Sequence, residues 1–223
     1  MKLIAWLSNC LFPEKCVLCG RILEKDELDL CHKCRVEAPE CGLSRTKYPY
    51  LDSWTALWRY QDSVRRSILR YKFYGRRNYA AAYARMLGVK LMKEDRADVD
   101  LITWAPISAK RLKKRGFDQG QLLAEQLGRE LQLPVVPCLQ KVRDNPPQSG
   151  IVGQAHRKAN VLGVYTAIDP QTLADKRILL LDDILTTGAT AGECARMLLT
   201  CGAKEVHCGA VAITRHRANN KVR

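Results

Sequence analysis

The stretch "RILLLDDILTTGATAGE" (residues 177–193) places a buried strand, two acidic residues and a loop of small residues directly after one another. The four apolar residues from Ile178 to Leu181 are typical of a strand in a parallel sheet that is covered on both faces. Asp182 and Asp183 follow, and a loop of Thr, Gly and Ala then leads into a helical pattern. Because ligands of parallel sheets bind beyond the carboxyl ends of the strands, we predict a binding site at this junction.

The second part of the chain alternates between strand-like and helical patterns. Strand-like segments lie at 99–107, 133–138, 177–183 and 205–214, and helical spacing of apolar residues occurs at 118–132 and 190–202. Strands separated by helices of this length indicate an α/β fold, with a mostly parallel, Rossmann-like sheet and helices on both faces. Residues 143–160 form one long irregular stretch rich in Pro, Gly, Asn and Gln, and such loops tend to be functional or mobile.

The composition of the loop after the strand indicates the ligand. Small residues at 186–190 let backbone N–H groups close around an anion, and the N-terminus of the following helix favours negative charge. A phosphate for this loop and vicinal hydroxyl groups for Asp182 and Asp183 together describe a ribose 5-phosphate. A Walker loop is excluded because no Gly-Lys-Ser/Thr follows the glycine. The alternative is a capped helix after an acidic turn, but two adjacent carboxylates are costly to hold at the end of a buried strand.

Four of the ten cysteines have the spacing of a metal site. Two Cys-x-x-Cys pairs, Cys16/Cys19 and Cys31/Cys34, are separated by eleven residues, and two such turns complete a tetrahedral shell around Zn²⁺. Disulfides would need an oxidising compartment, and one redox pair would not explain two motifs. Since four cysteines leave no open position for a substrate, we predict a structural zinc. We interpret the other cysteines as small apolar residues, namely Cys10, Cys41, Cys138, Cys194, Cys201 and Cys208.

Length and composition predict the domain organisation. A chain of 223 residues with 47% hydrophobic and 27% charged residues is long enough for one sizeable core and a small accessory module. The apolar stretch at 3–12 is too short to span a bilayer and lacks the features of a signal peptide, so an amphipathic helix is expected there. We therefore predict a cytoplasmic protein, with an N-terminal helix and zinc ribbon at 1–45 and the α/β domain at 46–223.

The positive charge lies outside the zinc module. The net charge is +14, although residues 1–45 hold seven basic and seven acidic residues. Residues 59–93 hold ten basic residues and one acidic residue, and five of the six residues at 110–115 are basic. Charged surfaces usually mix both signs, so this excess favours a polyanionic partner or a phosphate substrate.

The stretch with the two aspartates and several others along the chain resemble a known family. "ILLLDDILTTGAT" (178–190) is similar to the motif that binds phosphoribosyl diphosphate (PRPP) in type I phosphoribosyltransferases. The ComF/GntX family of competence-related proteins resembles nearly the whole chain. The stretches that carry this resemblance are "LFPEKCVLCG" (11–20), "YKFYGRR" (71–77), "KKRGFDQGQLLA" (113–124), "NPPQSG" (145–150) and "RKANV" (157–161).

The resemblance implies a phosphoribosyltransferase-type domain and a role for each part of the site. Asp182 and Asp183 would hold the ribose hydroxyls, and Thr186 to Thr190 the 5-phosphate. The loop at 105–117 would face the diphosphate, and 148–160 would be the mobile loop that covers the site. The residues implied to bind PRPP are Asp182, Asp183, Ile184, Thr186, Thr187, Gly188, Ala189, Thr190, Arg157 and Lys158.

If the protein is an enzyme, it transfers ribose 5-phosphate from PRPP to an acceptor that the sequence does not identify. Such a transfer passes through an oxocarbenium-like state, comparable in charge to glycoside cleavage. Mg²⁺ and cationic side chains would then stabilise the departing diphosphate. The residues expected to act in this step are Asp182, Asp183, Lys72 and Arg115, with Arg157 and Lys158 from the covering loop.

The competing class is a binding protein. The resemblance implies a part in DNA uptake during natural transformation, with single-stranded DNA as ligand and with DNA-uptake or helicase proteins as partners. Tyr71, Phe73, Tyr74 and Tyr79 interleave with cations, and such aromatics can stack on bases, although helix-core positions are the alternative. The residues predicted to contact DNA are Lys72, Tyr74, Arg76, Arg77, Lys113, Lys114 and Arg115.

Overall fold

The computed structural model describes residues 13–43, 46–144 and 161–214. Within these ranges the helices are α1 (His32–Glu37), α2 (Asp62–Phe73), α3 (Tyr79–Lys93), α4 (Ala109–Arg115), α5 (Gln119–Leu131) and α6 (Ala189–Thr200). The strands are β1 (Ser53–Arg59), β2 (Leu101–Trp104), β3 (Leu139–Lys141), β4 (Tyr165–Ala167), β5 (Arg177–Leu185) and β6 (Glu205–Ile213), and a 3₁₀ helix spans Pro170–Leu173.

Four strands form a parallel sheet in the order β1-β6-β5-β2. The central strands β5 and β6 pair along their whole length, from Arg177 with Glu205 to Leu185 with Ile213. Strands β3 and β4 form a separate antiparallel pair. The predicted parallel α/β sheet is confirmed.

Helices cover both faces of the sheet. Leu87 of α3 and Leu123 of α5 share one core with Leu179, whereas Leu198 of α6 shares the other core with Leu180. Because α5 follows β2 and α6 follows β5, the chain leaves two neighbouring strands towards opposite faces. A parallel sheet with this topology has a crevice between the carboxyl ends of those two strands.

Three strand predictions were wrong in their extent. The first is 99–107, where β2 covers only Leu101–Trp104. The segment 133–138 contributes one parallel bridge, between Val135 and Ile102, rather than a strand. Pro134 and Pro137 have no N–H to donate to a ladder, which limits pairing on this edge. The key strand was expected to end at 183, but β5 continues to Leu185 because β6 reaches Ile213 beside it.

The segment before β1 protects the edge of the sheet. Cys41 N donates to Leu57 O (3.0 Å) and Arg59 N donates to Pro39 O (2.7 Å), so residues 39–41 run along β1. Covering an edge strand in this way blocks pairing with other chains. The helix predicted before residue 13 lies outside the described residues, and the boundary at residue 45 stays a prediction. None of the helices in the described ranges has the length and apolarity needed to cross a membrane.

The unpaired cysteines have the expected environment where the structure describes them. Cys41, Cys138, Cys194 and Cys208 are buried, and Cys201 is partly buried. They contribute to the core as small apolar side chains. Cys10 lies outside the described residues.

Candidate functional site

The four cysteines of the two Cys-x-x-Cys pairs form one cluster. The sulfur atoms of Cys16, Cys19, Cys31 and Cys34 lie within 4.8 Å of one another, and the Cys19 and Cys31 sulfurs are 3.7 Å apart. Tetrahedral Zn²⁺ with Zn–S bonds of about 2.3 Å separates its sulfur ligands by about 3.8 Å. The cluster can therefore hold a metal ion such as zinc, and it fits a zinc ribbon.

Local hydrogen bonds shape each half of this cluster. Gly20 N donates to Cys16 O (2.8 Å), and Gly20 has a φ of +83°, a left-handed conformation that glycine adopts without strain. Cys34 N donates to Cys31 Sγ (3.4 Å) at the start of α1. His32, between two ligands, contacts Asp26 (Nε2–Oδ2, 2.9 Å) rather than joining the cluster.

The first cysteine turn packs directly on α2. Arg70 Nη2 donates to Leu18 O (2.6 Å) and to Val17 O (3.1 Å), and Ser67 Oγ donates to Val17 O. Val17 and Leu18 are themselves buried in the core that includes α2. The cysteine cluster is thus anchored to the helix that carries Lys72.

A cleft of about 820 Å³ opens at the carboxyl end of β5. It forms there because β2 ends at Trp104, the partner of Leu181, while β5 continues to Leu185. Ala105 N still donates to Leu181 O (2.9 Å), and the chain then turns away from the sheet. The predicted site residues that line the cleft are Lys72, Lys114, Arg115, Asp182, Asp183, Ile184, Thr186, Gly188, Ala189 and Thr190.

Asp183 is the centre of a polar network within the cleft. It is buried, and its Oδ2 contacts Lys72 Nζ (2.8 Å) and accepts from Gln119 Nε2 (3.1 Å). Arg115 Nη1 donates to Gln119 Oε1 (2.8 Å), and Tyr71 Oη donates to the Gln119 carbonyl (2.7 Å). The structure thus brings Lys72, Arg115 and Asp183 together around Gln119.

Sequence reasoning missed Gln119. It is the first residue of α5, directly after the N-cap Asp118, whose Oδ1 accepts from Gly120 N (2.8 Å) and whose Oδ2 accepts from Ile107 N (3.0 Å). The available signal was its place in "GFDQGQ" (116–121), where an acidic N-cap fixes the start of a helix beside the loop after β2.

Asp182 lies on the opposite face of β5, since successive strand residues alternate. Its Oδ1 accepts from Asp183 N (2.8 Å). Burial, and then the neighbouring charge of Asp183, raise the pKa of Asp182 to about 8. The two carboxyl groups therefore differ: Asp183 is ion-paired with Lys72, whereas Asp182 takes up a proton near neutral pH.

The loop from Thr186 to Thr190 depends on its glycine. Gly188 has a φ of +74°, and a Cβ atom at this position would lie 2.1 Å from Cδ1 of Tyr48. Only glycine therefore fits between the loop and this ring. Thr187 is directed away from the cleft: it lines a smaller cavity of about 250 Å³, and its Oγ1 accepts from Ala189 N (3.4 Å).

Lys141 and Arg111 also line the cleft, and sequence reasoning did not single out either of them. The Lys141 ammonium lies 5.2 Å from the ring centroid of Tyr165 and 3.5 Å from its Oη. Burial, and then the nearby Arg111, lower the pKa of Lys141 to about 8. Because β3 has only three residues, no periodic pattern marked this part of the sequence.

Comparison with known proteins agrees with this architecture. Residues 117–223 match the family described as "Phosphoribosyl transferase domain". Competence protein F of Haemophilus influenzae is 25% identical over 181 residues, which cover 78% of this chain and 79% of the relative. DNA utilization protein YhgH of Escherichia coli K12 is 27% identical over 200 residues, 86% of each chain. Competence protein ComFC of Streptococcus pneumoniae is also 27% identical, covering 86% of this chain and 96% of the relative.

These matches support the expected likeness to ComF-type competence proteins that carry a phosphoribosyl transferase domain. The sheet is of the phosphoribosyltransferase type, as the resemblance implied, and the four-cysteine cluster fits the zinc ribbon expected at the N-terminal end. The region matched to the domain contains Gln119 and the whole of β5 and α6, whereas Lys72 and α4 precede it.

Exposed aromatic and basic residues occur where Phe73 and Lys114 line the cleft and at positions close to these two in the sequence. Phe73 and Tyr74 are 57% and 73% exposed, and Arg76, Lys113 and Lys114 are also exposed. We call these five residues the mouth patch. The Arg115 guanidinium lies 4.9 Å from the Phe73 ring centroid, so the end of α2 and the end of α4 meet here.

The interleaved aromatics and the remaining residues considered for DNA contact have different positions. Tyr71 and Tyr79 are buried core residues, which was the alternative interpretation. Lys72 lines the cleft, whereas Arg77 is exposed and its Nη2 donates to Gly116 O (2.9 Å). Basic residues with internal ion-pair partners are Arg85, with Asp29, and Lys90, with Glu94. The basic stretch 59–93 therefore does not form one continuous cationic surface.

The covering loop falls outside the described residues. This applies to "NPPQSG" (145–150) and to Arg157 and Lys158, so their predicted contacts with PRPP stay predictions.

Proposed function

We propose that the cleft of this protein binds PRPP with Mg²⁺, and that the protein serves DNA uptake by binding single-stranded DNA. One observation carries the proposal: Asp182 and Asp183 precede the small-residue loop at the carboxyl end of β5, and this junction lies within the region matched to the phosphoribosyl transferase domain. The names of the relatives, which refer to competence and DNA utilization, support the DNA part.

In this proposal each part of the cleft holds one part of PRPP. The 5-phosphate binds at 186–190, where the first N–H groups of α6 have no partner within the helix. The ribose hydroxyls bind to Asp182 and Asp183. Lys72 and Arg115 face the diphosphate, because both line the cleft beside these carboxylates. Mg²⁺ is bound by the phosphate oxygens of PRPP, where it neutralises part of their charge.

In this proposal PRPP rearranges the contacts of Asp183 with Lys72 and Gln119. Lys72 and Gln119 both contact Oδ2 of this carboxylate, so we expect ribose hydroxyls to bind at Oδ1 or to displace one of these two groups. A released Lys72 ammonium is then available to the diphosphate. The buried ion pair thus keeps the site charged and ordered until PRPP arrives.

The test of this proposal is the effect of PRPP on thermal stability. A ligand that binds only the folded state at 100 times its Kd raises the melting temperature of a chain this size by about 5–10 °C. The double substitution Asp182→Ala, Asp183→Ala should abolish this rise. Asp169→Ala, at an exposed carboxylate next to the 3₁₀ helix, should retain it. An equal rise in the double variant would show that PRPP binds elsewhere.

A second candidate function is transfer of ribose 5-phosphate from PRPP to an acceptor. The observation that favours it is the convergence of Lys72 and Arg115 at Asp183, since cations positioned at the leaving group promote cleavage of the anomeric bond. In this reaction the C1–O bond to diphosphate breaks, and the acceptor supplies the electron pair of the new bond.

The measurement for this second function is diphosphate release from PRPP with Mg²⁺, in the presence of candidate nitrogenous bases. An enzyme should release diphosphate in proportion to acceptor consumed, and Lys72→Met should slow release by about 10²–10³-fold. Release that does not depend on any acceptor, or that is unchanged in Lys72→Met, would argue against transfer at this site.

A further inference from the structure

The wall of the cleft opposite Asp183 carries a cation whose position is fixed by its own strand pair. Lys141 on β3 is paired across the ladder with Tyr165 on β4. Its ammonium lies 5.2 Å from the centroid of that ring and 3.5 Å from its Oη, and it lines the cleft rather than extending into solvent. Arg111, from α4, lines the same cleft.

We propose that Lys141 binds a phosphate group of the ligand of this cleft, the diphosphate of PRPP, beside Arg111. The proposal rests on the proposed function, because it assigns a residue to the ligand named there. Lys141 would be a second lysine for this ligand: Lys72 approaches from the face of the sheet where Asp183 lies, and Lys141 from the face where Asp182 lies.

The electrostatic surroundings of Lys141 favour an anion. Burial is the largest effect on the ammonium and the positive charge of Arg111 is the next, and together they lower the pKa of Lys141 to about 8. The charged and titratable groups that face it from the surrounding elements are Arg111 (α4), Asp144 (after β3), Tyr165 (β4), Asp182 (β5) and Cys194 (α6). The acidic groups among these raise the pKa of Lys141, but by less than burial and Arg111 lower it.

Two cations that repel each other in a partly dehydrated cleft are stabilised when a multiply charged anion lies between them. The anion also restores the lysine proton, since a nearby negative charge favours the charged form. Binding of diphosphate near pH 8 should therefore be accompanied by proton uptake at Lys141. A lysine that only packs on Tyr165 would show no such linkage.

The experiment is calorimetric titration of the full chain with inorganic diphosphate and with PRPP, both with Mg²⁺, at pH 8. Repeating each titration in buffers of different ionisation enthalpy gives the number of protons exchanged. The native protein should take up about half a proton more than Lys141→Arg, because a guanidinium is already protonated at this pH. Protons that come from the ligands themselves are the same for both proteins and cancel in the difference.

Affinity provides an independent measurement. Lys141→Met keeps most of the apolar stem and should weaken diphosphate binding by about 10- to 100-fold, the range for a hydrogen bond to a charged group. Lys204→Met, at an exposed lysine just before the amino end of β6, is the matched control and should bind as the native protein does. If Lys141→Met fails to fold, the inference is tested by the difference between the native protein and Lys141→Arg in the number of protons taken up on binding.

The outcomes separate this inference from the proposed function. If Lys141→Met binds diphosphate as tightly as the native protein, or if Lys141→Arg shows the native proton uptake, Lys141 is not a ligand-binding residue while the PRPP site stands. If the native protein binds neither PRPP nor diphosphate, the proposed function is wrong and this inference falls with it.

Discussion

Asp182 and Asp183 are adjacent in the sequence but lie in different electrostatic environments. The carboxylate of Asp183 contacts Lys72 and Gln119. Asp182 lies on the other face of β5, where burial and the charge of Asp183 raise its pKa to about 8. The sequence predicted two carboxylates at the site. Lys72 was expected at the site, but its ion pair with Asp183 and the contact of Gln119 could not be predicted, because both residues belong to helices far away along the chain.

The raised pKa of Asp182 predicts a pH-dependent cost to stability. In the unfolded chain this carboxyl has its ordinary pKa near 4, and in the folded protein the pKa is about 8. Between these values the folded state holds a proton that the unfolded state releases, so stability falls as the pH rises from about 4 to 8. The amide of an asparagine at this position has no proton to lose in this range. Asp182→Asn should therefore raise the melting temperature by a margin that grows between pH 5 and pH 8 and then levels off.

Melting curves across this pH range are the measurement. The matched substitution Asp183→Asn removes the partner of Lys72 and should lower the melting temperature instead, since it leaves a buried cation without its ion pair. A gain for Asp182→Asn that is the same at every pH would contradict the assignment of the raised pKa.

Helix α2 connects the cysteine cluster to the cleft. Ser67 and Arg70 on this helix donate to the carbonyls of the first cysteine turn. The next two residues, Tyr71 and Lys72, contact Gln119 and Asp183 in the cleft. We therefore expect a change at the cysteine turn to affect the site through this helix.

This connection predicts that loss of the metal weakens PRPP binding. The native protein should carry one zinc per chain, and Cys19→Ser should lose the metal and destabilise the N-terminal module. It should also weaken PRPP binding by about tenfold or more, because the anchor of α2 is lost. Elemental analysis and titration with PRPP measure the two effects on the same sample.

The controls for this prediction distinguish anchoring from general unfolding. Cys201→Ser, at a cysteine outside the cluster, should keep both zinc and PRPP binding. Full PRPP affinity in metal-free protein would show that the cleft does not depend on the cluster.

The elements themselves differ in how far the sequence could predict them. Helices α5 and α6 were predicted to within two residues because each has a long periodic pattern, and α5 also begins after a capping aspartate, Asp118. Strands β3 and β4 have three residues each and leave no pattern, so the wall that carries Lys141 was missed. The segment 133–138 has an apolar run typical of a strand, but its two prolines limit it to a single bridge.

At the scale of the whole molecule, the fold determines which part of the +14 charge is available to a partner. Lys72, Arg85 and Lys90 form ion pairs within the protein, so their charges are balanced by acidic residues of the same chain. The mouth patch retains exposed cations and aromatics beside the cleft. The size of the charge excess follows from the sequence alone. Which cations are paired within the protein and which are exposed does not, because that depends on how α2 and α4 meet.

The mouth patch predicts a specific salt dependence of single-stranded DNA binding. With roughly four to six phosphates neutralised, log affinity should fall against log salt with a slope of about −3 to −4. Lys113→Ala with Lys114→Ala should flatten this slope by about 1 to 1.5 units. Tyr74→Ala should weaken binding by about 1–3 kcal/mol without changing the slope, because stacking releases no ions.

The control for charge alone is Lys176→Ala with Lys204→Ala, two exposed lysines at the amino ends of β5 and β6. This pair should leave the slope unchanged. If both lysine pairs change the slope equally, or if PRPP displaces DNA completely at every oligonucleotide length, a DNA surface at the mouth patch is wrong.

Calorimetric titration of PRPP with Mg²⁺ into the purified full chain determines whether the carboxyl end of β5 is a PRPP site. We expect one PRPP per chain, loss of measurable binding in the Asp182→Ala, Asp183→Ala variant, and native binding in Asp169→Ala. No heat of binding in the native protein, or equal binding in the double variant, would contradict it.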